Sequence, residues 1–318
     1  MSTSLKSLFL NARAAQGVRV HTPVGYTEPT YVESVSKMRG TILSLCEPVP
    51  NIAAYFDNQG KLRRIPKGRP GAAQATVDPL AVARAHSRFA AAGLHLMLRA
   101  PALPPQPVGQ EGVIVMQREV SGMSIIQPLP LGVVADDEES PVSTVLPVKS
   151  ASVDWSNEES TPAYAVQLEI PRGDYRDRLH DGSLDEVLTV AILAGAGRIA
   201  DHVLMTALAA ASLADFSLAA AASAGLAFGE LRAVVGTGGH GASVGQDGVL
   251  RATGIAAELT DTGAQTFVGA FDHAAVLLDR EIRVFAEKTS LDGSLSVTVL
   301  ASAAALLPDK SKFWKVAA

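Results

Sequence analysis

The stretch from Ser183 to Ala210, SLDEVLTVAILAGAGRIADHVLMTALAA, constrains what this chain can fold into more than any other. Ser183 can cap a helix N-terminus through its hydroxyl, while Glu186, three residues on, reaches back to the capping residue's own N–H. Apolar residues recur at Leu184, Val187, Leu188, Ala191, Ile192, Ile199, Val203 and Leu208, a stripe on a 3.6-residue period. At about 1.5 Å per residue the helix is roughly 40 Å long. Gly195 and Gly197 each cost about 1 kcal/mol relative to Ala in such a helix. Two retained glycines point to close approach by another backbone, and so to a spine over which a sheet is laid. The stripe alone fits an ordinary core helix equally well.

The 318 residues suffice for one large domain or two ordinary ones. Only 19% of residues are charged and the mean hydropathy is +0.20, so apolar surface is abundant and some of it is expected to be covered by other subunits. The formal charge of −5 gives no general attraction to nucleic acid or to an anionic membrane. Cys46 is the only cysteine, which excludes an internal disulfide or a thiolate-built metal cluster; a buried structural thiol in a reducing compartment is the expectation. The apolar patch Leu8 to Leu10 in the first sixteen residues is far shorter than a signal-peptide core, and runs such as Phe216 to Gly229 fall short of a bilayer span. A cytosolic chain with no membrane partner is expected.

Residues 1 to about 77 read as an extended arm with few periodic segments. Within it, Lys61 to Arg69 carries five basic residues and no acid, best read as a solvated or intersubunit basic loop because no aromatic residue is interleaved for base stacking. Asp78-Pro79 opens a helix, predicted to run to about Arg99 and to be stopped by PALPPQP. His86 and His95 are spaced nine apart, which does not suit a metal pair. From Gly112 the character turns to β: GVIVMQREV, then MSIIQPLPLGVV, an acidic loop from Asp136 to Glu139, and the alternating YAVQLEI of residues 164 to 170. That long two-stranded excursion is predicted to protrude rather than pack. After the long helix come an Ala-rich helix, the strand LRAVVG, a glycine-dense loop, strands around GIAAEL and QTFVGAF, and a β-rich close with a turn at Leu291 to Gly293.

The glycine-dense loop carries two enzyme signatures. Gly236, Gly238 and Gly241 fit the dinucleotide-binding spacing, with Glu258 placed for a ribose contact, but no helical stripe follows them. Gly241, Ser243 and Gly245 fit the nucleophile-elbow spacing, with Asp261 and His273 following in hydrolase order. An elbow needs an apolar strand entering it and a helix leaving, and neither flanks Ser243, so the loop reads as a mobile tip. No residue is put forward as catalytic, cofactor-binding or metal-ligating, and no cofactor is expected.

The order of elements over residues 112 to 316, including FVGAFDHAAVLLDREIRVFAEKTS and SVTVLASAAALLPDKSKFWKV, resembles that of tailed-bacteriophage major capsid proteins of the Hong Kong 97-type fold. The resemblance implies an α+β capsid fold with an N-terminal arm, an extended β loop at about Gln127 to Glu159, a peripheral domain built on the spine helix, and an axial domain. The domains it implies are 1–111, an arm and added helical segment; 112–225, extended loop and peripheral domain; 226–272, axial domain; and 273–318, the closing β segment of the peripheral domain. It further implies self-assembly, as hexamers and pentamers, into an icosahedral shell that encloses double-stranded DNA without sequence-specific binding, with portal, scaffolding and decoration proteins as candidate partners. The location implied is the virion, after assembly in the bacterial host cytoplasm. An encapsulin-like nanocompartment shell has the same fold and stands as the alternative, with a serine hydrolase using Ser243 behind it. Some family members cross-link a lysine of the extended loop to an asparagine near the other end of the chain. Lys149 stands in that loop, but the asparagines here are Asn11, Asn51, Asn58 and Asn157, so an equivalent bond is not expected.

Overall fold

The computed structural model describes residues 5, 8–9, 16–21, 31–36, 39–63, 75–101, 106–108, 113–115, 119–129, 134, 136, 145–155, 162–181, 183–288 and 294–317. The fold is mixed α and β, and the chain divides into two compact units. The first comprises residues 1–87, 163–199 and 278–303, the second 88–162, 200–277 and 304–318. The long helix spans Ser183–Ala210 and contributes its first part to one unit and its last part to the other. Among the described residues it is the one helix long and apolar enough to cross a bilayer, and most of that stretch is buried against the rest of the chain.

In the first unit, among the described residues, four strands pair in one sheet: Arg39–Ser44 pairs with Glu281–Lys288, which pairs with the long strand Leu295–Leu306, and Ala163–Ile170 pairs with that strand's other side, all antiparallel. Ile282, Val284, Ala286, Val297 and Val299 are buried on one face, as strand alternation requires. The helix buries Leu184, Leu188, Leu193 and Gly197, while Ala191 of the sequence-derived stripe is exposed. Of the two helical glycines only Gly197 is in close contact: a Cβ there would lie 2.3 Å from the Ala83 carbonyl oxygen and 3.0 Å from the Ser87 nitrogen. Gly195 faces open space, so the expected backbone approach belongs to one glycine and not to both. The N-terminal region is also more structured than an extended arm: Gln16–His21 pairs with Tyr31–Ser36 in a hairpin, Arg39–Ser44 joins the sheet, and Leu5, Leu8 and Phe9 are buried. Of the basic segment only Lys61 to Arg63 falls within the described residues.

Asp78 caps Pro79–His86 as expected, its carboxylate accepting from the Leu80 N–H at 3.0 Å. The helix does not continue to Arg99. Ser87 takes an extended conformation, a second short helix occupies Arg88–Ala91, and a strand follows at His95–Leu98. In the second unit the reason is visible: buried Asp201, on the long helix, accepts from the Arg88 and Phe89 N–H groups at 2.8 and 3.2 Å and thereby starts a new helix. Gly93, at φ +112°, then turns the chain into the strand.

The second unit also holds, among the described residues, a six-stranded sheet in the order Ala242–Val244, Leu250–Ala252, Ile255–Leu259, Arg232–Val235, Phe267–Gly269 and Phe313–Lys315. The pairing of Arg232–Val235 with Ile255–Leu259 is parallel. Its core gathers Ala233, Val235, Ile255, Val268 and Trp314 with Ala221 of the short helix Leu218–Ser223. Phe271 stands between Phe89 and Phe313, ring centroids 5.2 and 5.7 Å apart. Cys46, expected to be buried, is exposed in the bend after Arg39–Ser44.

Candidate assembly interface

Strand Val120–Ile126 pairs antiparallel with Val148–Asp154, Ile126 facing Val148 and Val120 facing Asp154. The sequence reading placed one strand over residues 112–120, but the structure divides it: Val113–Val115 pairs with Gln106–Val108, and a new strand begins at Val120. Alternation gives the hairpin two faces. Met123, Ala151 and Val153 pack with Trp155 onto Ala275, Leu277 and Leu306, so the base of the excursion is packed, not protruding. Arg99 pairs with Glu119 and lies 5.2 Å from the Trp155 ring centroid, closing the base from the side.

Further along the ribbon, Asp309 gathers donors from both strands. Its Oδ1 accepts from Lys149 Nζ at 2.9 Å and from the Ser311 N–H and hydroxyl at 3.1 and 2.6 Å, and its Oδ2 accepts from Gln127 Nε2 at 2.9 Å. The carboxylate is only 3% exposed. Burial by itself raises its pKa, but hydrogen bonds from Ser311 and Lys149 outweigh that and hold the group below the ordinary Asp value. A carboxyl lowered in the folded state stabilises the fold above the unfolded value of about 4 and loses that contribution as pH falls through the lower, folded value. We therefore expect protection of the hairpin amides against hydrogen exchange to be flat from neutral pH down to about 5 and to fall below about 4. In Asp309→Asn that fall is expected to be absent.

Beyond the Asp309 contact the character reverses. Ile126 is 79% exposed and Leu146 81%, and Leu129, Val145 and Val148 are exposed with them. Among the described residues, these large aliphatics form an exposed apolar cluster at one end of a hairpin whose base is buried, the kind of patch that marks a candidate contact surface. The sequence supplied Gln127 to Glu159 as the extended loop; residues 130–133, 135, 137–144 and 156–161 lie outside the described residues. Lys149, considered for a covalent cross-link, is engaged with Asp309. Asp309 itself carried no signal in the sequence, because nothing in DKSKF distinguishes a buried carboxylate from a solvated one.

The enzyme signatures do not build sites. Gly236 follows strand Arg232–Val235 as a dinucleotide motif requires, but what comes next is the strand Ala242–Val244 and not a helix. A Cβ at Gly236 would lie 2.4 Å from the Gly263 carbonyl oxygen, so this glycine serves packing within the loop. Glu258 stands across the parallel pair from Val234. Ser243 sits mid-strand in a hairpin, opposite Arg251, with no elbow geometry. His273 ends a 3₁₀ turn, its Nδ1 buried without a hydrogen bond. Within the glycine-dense loop, Ala242–Val244 and Leu250–Ala252 pair as a hairpin. Arg251 forks onto Asp247 at 2.8 and 2.6 Å across the turn, and that pair holds the Asp247 carboxyl well below the usual range. His86 Nδ1 is 2.9 Å from the Val82 carbonyl oxygen of its own helix, and among the described residues no His, Cys, Asp and Glu cluster suits a metal.

No known family profile and no curated protein matches this chain. Among solved structures, the capsid of an empty GTA particle is similar, with a TM-score of 0.43 and 11% identity over 80% of this chain and 95% of that one. The procapsid of satellite phage P4, which includes the size determination protein, aligns with a TM-score of 0.40 and 9% identity over 74% and 96%. A structure of Mycobacterium phage Che8 aligns with a TM-score of 0.36 and 12% identity over 62% and 84%.

Proposed function

We propose that this chain is a major capsid protein of the Hong Kong 97-type fold, which self-assembles into the icosahedral shell around the double-stranded DNA genome of a tailed bacteriophage. The observation that carries the reading is the hairpin: its base is packed and clamped, while its far end presents Ile126, Leu129, Val145 and Leu146 to solvent. In a shell each such end is buried on another copy, as a heterologous contact repeated until curvature closes it. The order of elements, from a β excursion through a long helix to a six-stranded sheet, supports the same reading.

In the domain assignment that goes with it, residues 1–111 are the arm and added segment, 112–225 the extended loop and peripheral domain, and 226–272 the axial domain. Residues 273–318 are the closing segment, whose strand Phe313–Lys315 returns to pair with Phe267–Gly269. Hexamers and pentamers are the building units, with portal, scaffolding and decoration proteins as partners in the host cytoplasm. No catalysis is asked of Ser243, and a net charge of −5 suits a wall that holds DNA without gripping it.

The test is the mass of the purified chain by light scattering, with negative-stain microscopy of the same fraction. The expected result is closed particles far above the 33.1 kDa of one chain, formed equally by Ser243→Ala. A protein that stays monomeric or dimeric under all assembly conditions overturns the reading.

A further inference from the structure

We infer that Asp309 is the positioning residue for the apolar end of the hairpin, the outer of two clamps that together set the direction in which Ile126, Leu129, Val145 and Leu146 are presented. The inner clamp is the apolar contact of Met123, Ala151 and Val153 with Trp155, Ala275, Leu277 and Leu306. Met123 faces Ala151 and Ile125 faces Lys149, so the outer attachment stands two residues beyond the near edge of the inner one, about 7 Å along the strand. A two-stranded ribbon is weak by itself, and one fixed at a single place is free to pivot there. Fixed at two, it has one direction.

The outer clamp is built for this. Lys149 lies within the second strand and Gln127 follows the first, so a single side chain holds both strands. Asp309 is itself immobilised by the Ser311 N–H and hydroxyl at the 3₁₀ turn Lys310–Lys312. Four donors converge on it, three on Oδ1 and one on Oδ2, and an ionised carboxylate, with acceptor capacity on both oxygens and none given to a proton, can receive them. An Asn offers one oxygen and no charge. Where the hairpin end points then decides which surface of a neighbouring copy it meets, a consequence that rests on the shell reading above.

The experiment places spin labels at Ile126→Cys and Leu259→Cys, both exposed positions of the same unit, in a Cys46→Ser background, and measures the label-to-label distance distribution in the unassembled chain. The unaltered clamp is expected to give one narrow population. Asp309→Ala and Lys149→Met are each expected to broaden it at least twofold, and Asp309→Asn to give an intermediate width. Melting followed by circular dichroism reports whether each variant folds. If Asp309→Ala does not fold, Lys149→Met, at a half-exposed side chain, decides the matter alone. Unchanged width in the folded variants overturns the inference. Because the labels are read before assembly, a wild-type chain that forms no particles defeats the shell reading and leaves the clamp to stand or fall on its own widths.

Discussion

Gly197→Ala is expected to destabilise the folded chain by about 3 kcal/mol, while Gly195→Ala, two positions earlier in the same helix, stabilises it by about 1 kcal/mol. The opposite signs follow from what each Cβ meets. At Gly197 it would lie 2.3 Å from the Ala83 carbonyl oxygen and 3.0 Å from both the His86 carbonyl carbon and the Ser87 nitrogen. All are backbone atoms at the end of Pro79–His86, and none can swing away as a side-chain tip can. Relief requires the two helices to part, which opens space around buried Val82 and Ala83. At Gly195 the Cβ meets nothing within 4 Å, so only the gain in helix propensity remains. Urea unfolding followed by circular dichroism reads both shifts. Two substitutions with the same sign and size would refute the close approach.

The second large effect concerns assembly and leaves the fold alone. Ile126→Asp combined with Leu146→Asp is expected to abolish particles while the melting temperature of the unassembled chain stays within a degree or two. Both side chains are about four-fifths exposed in the single chain, so aspartate costs the monomer little. Inside an apolar intersubunit contact, as the shell reading requires, the same carboxylates are stripped of water, and the penalty recurs in every copy. Sedimentation of the purified variant beside the unaltered chain measures it. Equal particle yields would mean that the hairpin end makes no contact that matters.

Much of the fold was legible where chemistry acts over short range. Asp78-Pro79 declared a helix start because a carboxylate and a fixed φ act within one turn, and Ser183 to Ala210 declared its full length through its period. The pattern after Asp78 reads as one helix to Arg99 because the new start at Arg88 is set by Asp201, over a hundred residues later in the chain, and no local pattern reports such a contact. The two glycines of the long helix looked alike in sequence, since the pattern does not say which side of the helix meets Pro79–His86. At the interface, the excess of aliphatic residues was visible as composition, but its concentration beyond a buried clamp was not. Asp309 was illegible for the same reason as Asp201: its donors come from Gln127 and Lys149, far away along the chain.

Strand Ala163–Ile170 has its partner at residues 295–302, far downstream, and Phe267–Gly269 waits for Phe313–Lys315. During synthesis, at roughly 5–20 residues per second, the first of these strands therefore spends several seconds without its neighbour. Throughout that interval its ladder groups are open to any other nascent chain on the same message. Closure of this sheet is thus deferred until residues 295–302 have been made. The pace of translation between residues 171 and 294 is therefore expected to affect the yield of soluble chain alongside the stability of the finished fold.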